Sequence, residues 1–382
     1  MHYLALCCIA KDEDPFLKEW LAYHSLLGVE HFYIYDNMSK IPIATLLEGF
    51  ADARRVTVRR IEGKALQTTA YQHCLEEFGP SCVWLGFIDI DEFICLMPDR
   101  DLRVFLSEFE PYGGIGVSWD MFSSAGHISR PSGPVIKNYT MRLLRRSDTI
   151  HYKTILRPSR ATKPLNAHTF QYAPCTMAVT EDHSPIPAES PFAFSRRTRI
   201  KLNHYFFRSR QDYAEKLARG RADIRRTDTR SMDAFMEQES APQEEDTCIL
   251  RHVPALEKAL GAGKIPEPGV TLPAGEPLFK YMDAAEALAQ AGQLEKAAIC
   301  LTRAIPAFET VAELLTARAL FARLSGHLDR AERFLLRALP LGESPTTYME
   351  LIALRKSQKR YSEAAELQEF LRDLMTARGL LQ

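Results

Sequence analysis

The stretch from Leu85 to Ile94 reads LGFIDIDEFI. The residues leading into it, Val83 to Ile88, are apolar throughout apart from Gly86. A strand of that character is covered on both faces, which predicts an interior position in a sheet. Carboxylates at the end of a buried strand are costly unless a cation or hydrogen bonds compensate them. In extended backbone Asp89 and Asp91 project to the same side, so both can address one metal ion or its water shell. The competing reading of the same pair is that they cap a following helix.

Working outward, Tyr3 to Ala10 is a continuous apolar strand followed by the polar turn Lys11-Asp12-Glu13. A helix is expected next, with Asp14 as N-cap and Pro15 in the first turn. Phe16, Leu17, Trp20, Leu21 and Leu27 fall on one face, and Gly28 closes it. His31 to Tyr35 reads as a second strand ending at Asp36-Asn37, Val56 to Ile61 as a third, and Thr68 to Phe78 as a helix. Strands and helices in this order predict an α/β sheet with parallel neighbours. Ligands of such sheets collect at the carboxyl ends of the strands. Lys11, Asp12, Glu13, Asp36, Asn37, Asp89, Asp91 and Glu92 are therefore expected at one edge.

The chain has 382 residues, 46% hydrophobic and 25% charged, which excludes wholesale disorder and predicts two folded units. No apolar run approaches the roughly 18 residues of a membrane span, and Leu4 to Ala10 reads as a buried strand instead of a signal peptide. The eight cysteines include no CxxC pair, which points to free thiols in a reducing compartment and away from zinc. The net charge of −1 conceals an asymmetry: Lys137 to Arg230 holds 20 lysines and arginines against 8 acids. Such a stretch suits phosphate or another anion, or is ordinary solvated surface.

Between Gly261 and Pro277, 8 of 17 residues are glycine or proline, which marks a linker. Beyond it Gly292, Ala297, Ala304 and Pro306 recur 34 residues on as Gly326, Ala331, Ala338 and Pro340, and Ala365 continues the series from Ala331. This period resembles the tetratricopeptide repeat; an unrelated alanine-rich bundle is the alternative. The expected organisation is an α/β domain over residues 1–260, a linker over 261–277, and an all-α repeat domain over 278–382.

Six motifs in order, KDEDPFLKEWLAYHSLLGVEHFYIYDNMS, WLGFIDIDEFI, SWDMFSSAGH, KTILRP, HTF and LNHYFFRSRQDYAEKLARGRAD, together resemble glycosyltransferase family 92 and related GT-A enzymes from about Met1 to Leu260. The resemblance implies a Rossmann-like GT-A fold, a nucleotide-sugar donor and a divalent cation, Mn²⁺ or Mg²⁺. It implies a place around the nucleoside for Lys11, Asp12, Glu13 and Asp36, the metal-diphosphate role for Asp89 and Asp91, and a position near the donor for Gln67. Asp36 is equally a turn residue beside Asn37. His204 is a candidate metal ligand, because neutral imidazole suits Mn²⁺, or a satisfied core residue. Lys153 and Arg208 are candidate diphosphate clamps.

Asp120 is the candidate base that would deprotonate an acceptor hydroxyl in an inverting transfer. It would otherwise cap a loop through Ser123 or Ser124, with Glu181, Asp182 and Asp223 as further carboxylates. Trp119 and Phe122 would stack on a sugar or belong to the core. Gly113-Gly114-Ile115-Gly116 lacks the strand-to-helix context of a phosphate loop, which disfavours a nucleotidyltransferase. The expected function is hexosyl transfer from a nucleoside diphosphate sugar, UDP foremost, to a glycan or glycolipid acceptor. The helical repeats would dock a protein partner or mediate self-association. A scaffold with a degenerate transferase domain is the alternative. No nucleic-acid partner is expected, and the location is expected to be cytoplasmic with at most peripheral contact at the inner face of a membrane.

Overall fold

The computed structural model describes residues 2–50, 54–97, 101–110, 112–144, 150–174, 176–187, 189–193, 195–220, 230–268, 288, 291–293, 296, 311–324, 326–341 and 345–377. Two compact units divide the chain, Met1–Pro268 and Gly269–Gln382.

The first unit is mixed α/β. Its strands are β1 (His2–Ala10), β2 (His31–Asp36), β3 (Val56–Arg60), β4 (Cys82–Phe87), β5 (Glu92–Leu96), β6 (Gly114–Met121), β7 (Met141–Leu143), β8 (Ile150–Leu156), β9 (Ala161–Pro164), β10 (Phe170–Tyr172), β11 (Ala178–Val179), β12 (Phe192–Ala193), β13 (Ile200–His204) and β14 (Gln243–Glu245). The large sheet runs β3-β2-β1-β4-β8-β6-β13-β5, with β11 beside β6 and β12 beside β8. β3, β2, β1 and β4 are mutually parallel, so their carboxyl ends share one edge. β8 is antiparallel to both β4 and β6, whereas β13 runs parallel to β6 and antiparallel to β5.

The continuous apolar character of β1 and β4 follows from their interior positions: Leu4 to Cys8, Trp84, Leu85 and Phe87 are all fully buried. Helix α1 (Asp14–Leu26) packs against β5, where the Trp20 indole N–H donates to the Glu92 carbonyl and the Tyr23 hydroxyl to the Ile94 carbonyl. Further along the chain come α2 (Ile43–Leu46), α3 (Gln67–Glu77), α4 (Leu102–Leu106), α5 (Val135–Asn138) and α6 (Arg210–Arg219). Ala70, Tyr71, Cys74 and Leu75 of α3 close a core with Ala5, Cys7, Tyr33, Leu85 and Phe87. The start of α1 differs from the expected cap. Glu13 takes the cap position without a side-chain cap bond, and Asp14 is the first helical residue. The Glu13 carboxylate is engaged instead by Arg208 and Arg219. Gly28 does end the helix, with φ +98, and a Cβ there would lie 2.6 Å from the Asp101 carboxylate.

The Gly113 to Gly116 segment serves packing. A Cβ on Gly113 would come within 2.5 Å of Tyr172, and one on Gly116 within 2.5 Å of Ile186. No room for a phosphate remains against that backbone.

Glu19 gives α1 a pH-sensitive anchor. Its buried carboxylate accepts from the backbone N–H groups of Val135 (2.8 Å) and Ile136 (3.2 Å). Burial raises its pKa from 4.5 to about 7, against the lowering effect of those amides and Arg208. Because the folded value lies above the unfolded one, the folded protein holds an extra proton between these values. The contribution of this group to stability is full below the unfolded pKa and is lost as the pH rises through the folded one. Relative to Glu19→Gln, the wild type should lose about 3 kcal/mol of stability between about pH 5 and 8. Denaturant unfolding of both proteins across that range measures the difference.

The second unit is helical: Val311–Leu324, Leu328–Ala338, Pro345–Ser357 and Tyr361–Ala377. The same turn recurs before successive helices. Gln293 N–H donates to the Leu288 carbonyl, His327 to Ala322, and Arg360 to Arg355, each at 2.8 Å. Gly292, Gly326 and Lys359 take positive φ at these turns, so the first interval is 34 residues and the second 33. Ala331 and Ala338 are fully buried as small contact residues should be, whereas in the third copy Ala364 is buried and Ala365 exposed. The one-residue contraction moves the register. Ala297, Ala304, Pro306 and residues 269–277 of the linker lie outside the described residues. Among the described residues no helix is long and apolar enough to cross a membrane.

Candidate active site

A pocket of about 750 Å³ opens at the shared carboxyl edge. This lies within the range of small-molecule sites. Its walls include Lys11, Glu13, Asn37, Gln67, Asp89, Asp91, Trp119, Lys153 and His204, which the sequence singles out, together with His168, Phe206, Lys216, Arg219 and Arg230.

The strand register brings these groups together. Thr154 of β8 pairs with Phe87 of β4, so Lys153 falls just past the end of β4. There its Nζ donates to Asp89 Oδ2 at 2.7 Å and stands 3.9 Å from Glu92. Asp89 Oδ1 accepts from the Gln67 amide (2.8 Å) at the start of α3 and from the Tyr71 hydroxyl (3.4 Å). Glu92 Oε2 accepts the Asp89 N–H, tying the carboxylate turn beneath the pocket. On the other side β13 pairs with β5, and the Tyr205 N–H donates to the Asp91 carbonyl at 2.8 Å. This holds His204 Nε2 3.5 Å from Asp91 Oδ1. Asp91 Oδ2 accepts from Lys216 Nζ at 2.5 Å. Lys216 and Arg219 come from α6 (Arg210–Arg219), which starts with a Ser209–Asp212 capping box.

Burial alone would raise the Asp91 carboxyl, but Lys216 and His204 outweigh it and hold it well below the usual carboxylate range. Burial lowers His204, leaving a neutral imidazole despite the pull of Asp91. Burial raises Glu92 well above the usual range, against the pull of Lys153. His168 donates from Nδ1 to the Tyr152 carbonyl at 2.8 Å, and burial followed by Lys153 lowers its pKa to about 3. Trp119 lies between the imidazoles, with ring centroids 4.3 Å from His204 and 5.3 Å from His168.

Two carboxylates and a neutral imidazole supply the donor types that Mn²⁺ or Mg²⁺ accepts, and His204 Nδ1 is buried without a hydrogen-bond partner. The donor chemistry therefore fits a divalent cation. In this conformation each aspartate is engaged by its own lysine, and among the described residues no three such side chains are arranged to hold a metal ion.

Four expected residues lie off this wall. Asp36 accepts from the N–H groups of Ser39 (2.8 Å) and Ile43 (3.2 Å) and faces Arg60, so it is the cap of the turn after β2. Asp12 accepts from the Lys40 N–H and donates its own N–H to the Ser39 hydroxyl, joining the loops after β1 and β2. Arg208 pairs with Glu13 at 3.0 Å and covers the Phe16 ring at 3.5 Å, which makes it a buried brace instead of a phosphate clamp. Asp120 is 4% exposed and enclosed by Arg142, Arg197 and Lys201. It does not line the pocket that Trp119 reaches from the neighbouring position on β6. Ser123 and Ser124 bond to Gln243 and Glu239 and do not take Asp120 as a partner. Glu181 is committed to the N–H groups of Thr198, Arg199 and Ile200; Asp223 lies outside the described residues. Phe122 is fully buried core, whereas Trp119 reaches the pocket.

Sequence reasoning missed Lys216 and Arg219. The signal that would have found them is helical spacing: Asp212, Lys216 and Arg219 stand at i, i+4 and i+7 after the capping box, on one face.

The sequence model of glycosyltransferase family 92 matches residues 2–235, more than half of the chain. A glycosyltransferase family 92 protein of Ricinus communis is 30% identical over 169 residues, covering 43% of this chain and 30% of the relative. One of Oryza sativa subsp. japonica is 32% identical over 162 residues, covering 41% and 27%. A galactan β-1,4-galactosyltransferase of Arabidopsis thaliana is 30% identical over 103 residues, covering 24% and 21%. The chain thus spans less than a third of the length of these curated relatives.

Proposed function

The chain belongs to glycosyltransferase family 92, and on that premise we propose that its first unit transfers a hexose from a nucleoside diphosphate sugar, UDP foremost, to a glycan or glycolipid hydroxyl. The observation that carries this reading is the convergence of Asp89, Asp91, Lys153, His204 and Lys216 on one pocket at the carboxyl ends of the parallel strands. Lys153, Lys216 and Arg219 supply the positive charge that a diphosphate requires. Asp89, Asp91 and His204 would hold a divalent cation, which when bound neutralises charge on the departing diphosphate. Trp119 offers an aromatic face at the pocket wall for a sugar ring.

The second unit fits a tetratricopeptide-like array, whose role would be docking of a protein partner or self-association. The basic region from Lys137 to Arg230 suits an anionic acceptor or membrane surface at the cytoplasmic face. A thermal-shift panel of nucleotides and nucleotide-sugars with Mn²⁺ tests the donor reading: UDP and one UDP-sugar should raise the melting temperature above all other bases. A flat panel would contradict it.

A further inference from the structure

The two aspartates have lysine partners of unequal freedom. Lys153 lies on an interior strand, its side chain is 1% exposed, and it is shared between Asp89 and the fully buried Glu92. Lys216 is in the last turn of α6, its side chain is 15% exposed, and it lines the pocket. Its Nζ reaches Asp91 Oδ2 at 2.5 Å and the Phe206 carbonyl at 3.1 Å, and it lies 3.7 Å from the centre of the Phe206 ring. One residue beyond α6, Gly220 turns the chain with φ +82. The ammonium group therefore occupies one of the two Asp91 oxygens open to a divalent cation, from a side chain that borders the pocket.

We propose that Lys216 is an exchangeable counter-ion: it neutralises Asp91 in the empty site and moves to the donor diphosphate when a divalent cation takes Asp91. The inference rests on the donor and cation reading above. A cation arriving alone must drive a like charge off Asp91 and leave it without an anionic partner. A cation arriving with a nucleoside diphosphate gives the displaced ammonium a phosphate. Cation and nucleotide should consequently bind with positive coupling, and Lys216 should carry much of it. Arg219 on the same helix face stays with Glu13 and the Asp12 carbonyl, so only the lysine needs to move.

The test is calorimetric titration of the full chain with Mn²⁺, with and without UDP, for the wild type, Lys216→Met and Lys216→Arg. Near-UV circular dichroism checks that each is folded. In the wild type UDP should tighten Mn²⁺ binding about tenfold or more. Lys216→Met should bind Mn²⁺ alone about tenfold more tightly than the wild type and lose most of that coupling, and Lys216→Arg should retain the wild-type pattern. If Mn²⁺ binds all three proteins with the same affinity and coupling, the exchange role fails while the cation reading stands. If Mn²⁺ binds none of them even with UDP, both fail.

Discussion

Asp91→Asn is expected to lower the rate of glycosyl transfer by about a hundred- to a thousandfold with the fold intact, the range typical of losing one preorganised charge-stabilising group. Asparagine keeps the size of the side chain and removes its charge. In the native site that charge accepts from Lys216 and faces His204, and in the proposed reaction it would face the cation and the leaving diphosphate. The fold should survive because Lys216 keeps its bond to the Phe206 carbonyl and the Asp91 carbonyl still accepts the Tyr205 N–H. Initial rates at saturating donor, beside melting curves of both proteins, measure this. A rate within a few-fold of wild type would remove Asp91 from the chemistry.

Lys153→Met should act first on stability. The ammonium is buried between Asp89 and the fully buried Glu92, and methionine fills the space without the charge. Removing one partner from a buried ion pair costs about 3–5 kcal/mol, because the remaining charge, here that of Asp89, is left uncompensated. The lower end is expected here, since Asp89 retains Gln67 and Tyr71 and is partly open to the pocket. Urea unfolding should show a lower midpoint with unchanged slope. A loss below about 1 kcal/mol, the scale of a surface pair, would mean that Lys153 is not electrostatically enclosed as described.

How far these features were legible in sequence depended on how local their causes are. β1, β2, β3, α3 and β4 follow from apolar runs and periodicity within a few residues, and their observed bounds lie within one residue of expectation. The rule of carboxyl ends gathered Lys11, Glu13, Asn37, Asp89 and Asp91 correctly onto one wall. Asp36 and Asp12 stand at the same edge without lining the pocket, because short Asx side chains at strand ends satisfy neighbouring N–H groups first. Lys153 depends on the antiparallel pairing of β8 with β4, a contact no local pattern encodes. Lys216 lies 125 positions from Asp91, and the enclosure of Asp120 by Arg142, Arg197 and Lys201 likewise comes from distant parts of the chain. In the helical unit the 34-residue period was readable, but the contraction that buries Ala364 in place of Ala365 was not.

The central claim is that the pocket at the ends of β1 and β4 binds a nucleoside diphosphate with a divalent cation. Calorimetric titration of the full chain with UDP, in the presence and absence of Mn²⁺, tests it most directly. Saturable UDP binding that strengthens with Mn²⁺ and is lost in Asp91→Asn is the predicted result. Absence of binding at millimolar UDP with Mn²⁺ present, or binding indifferent to both Mn²⁺ and Asp91, would contradict it.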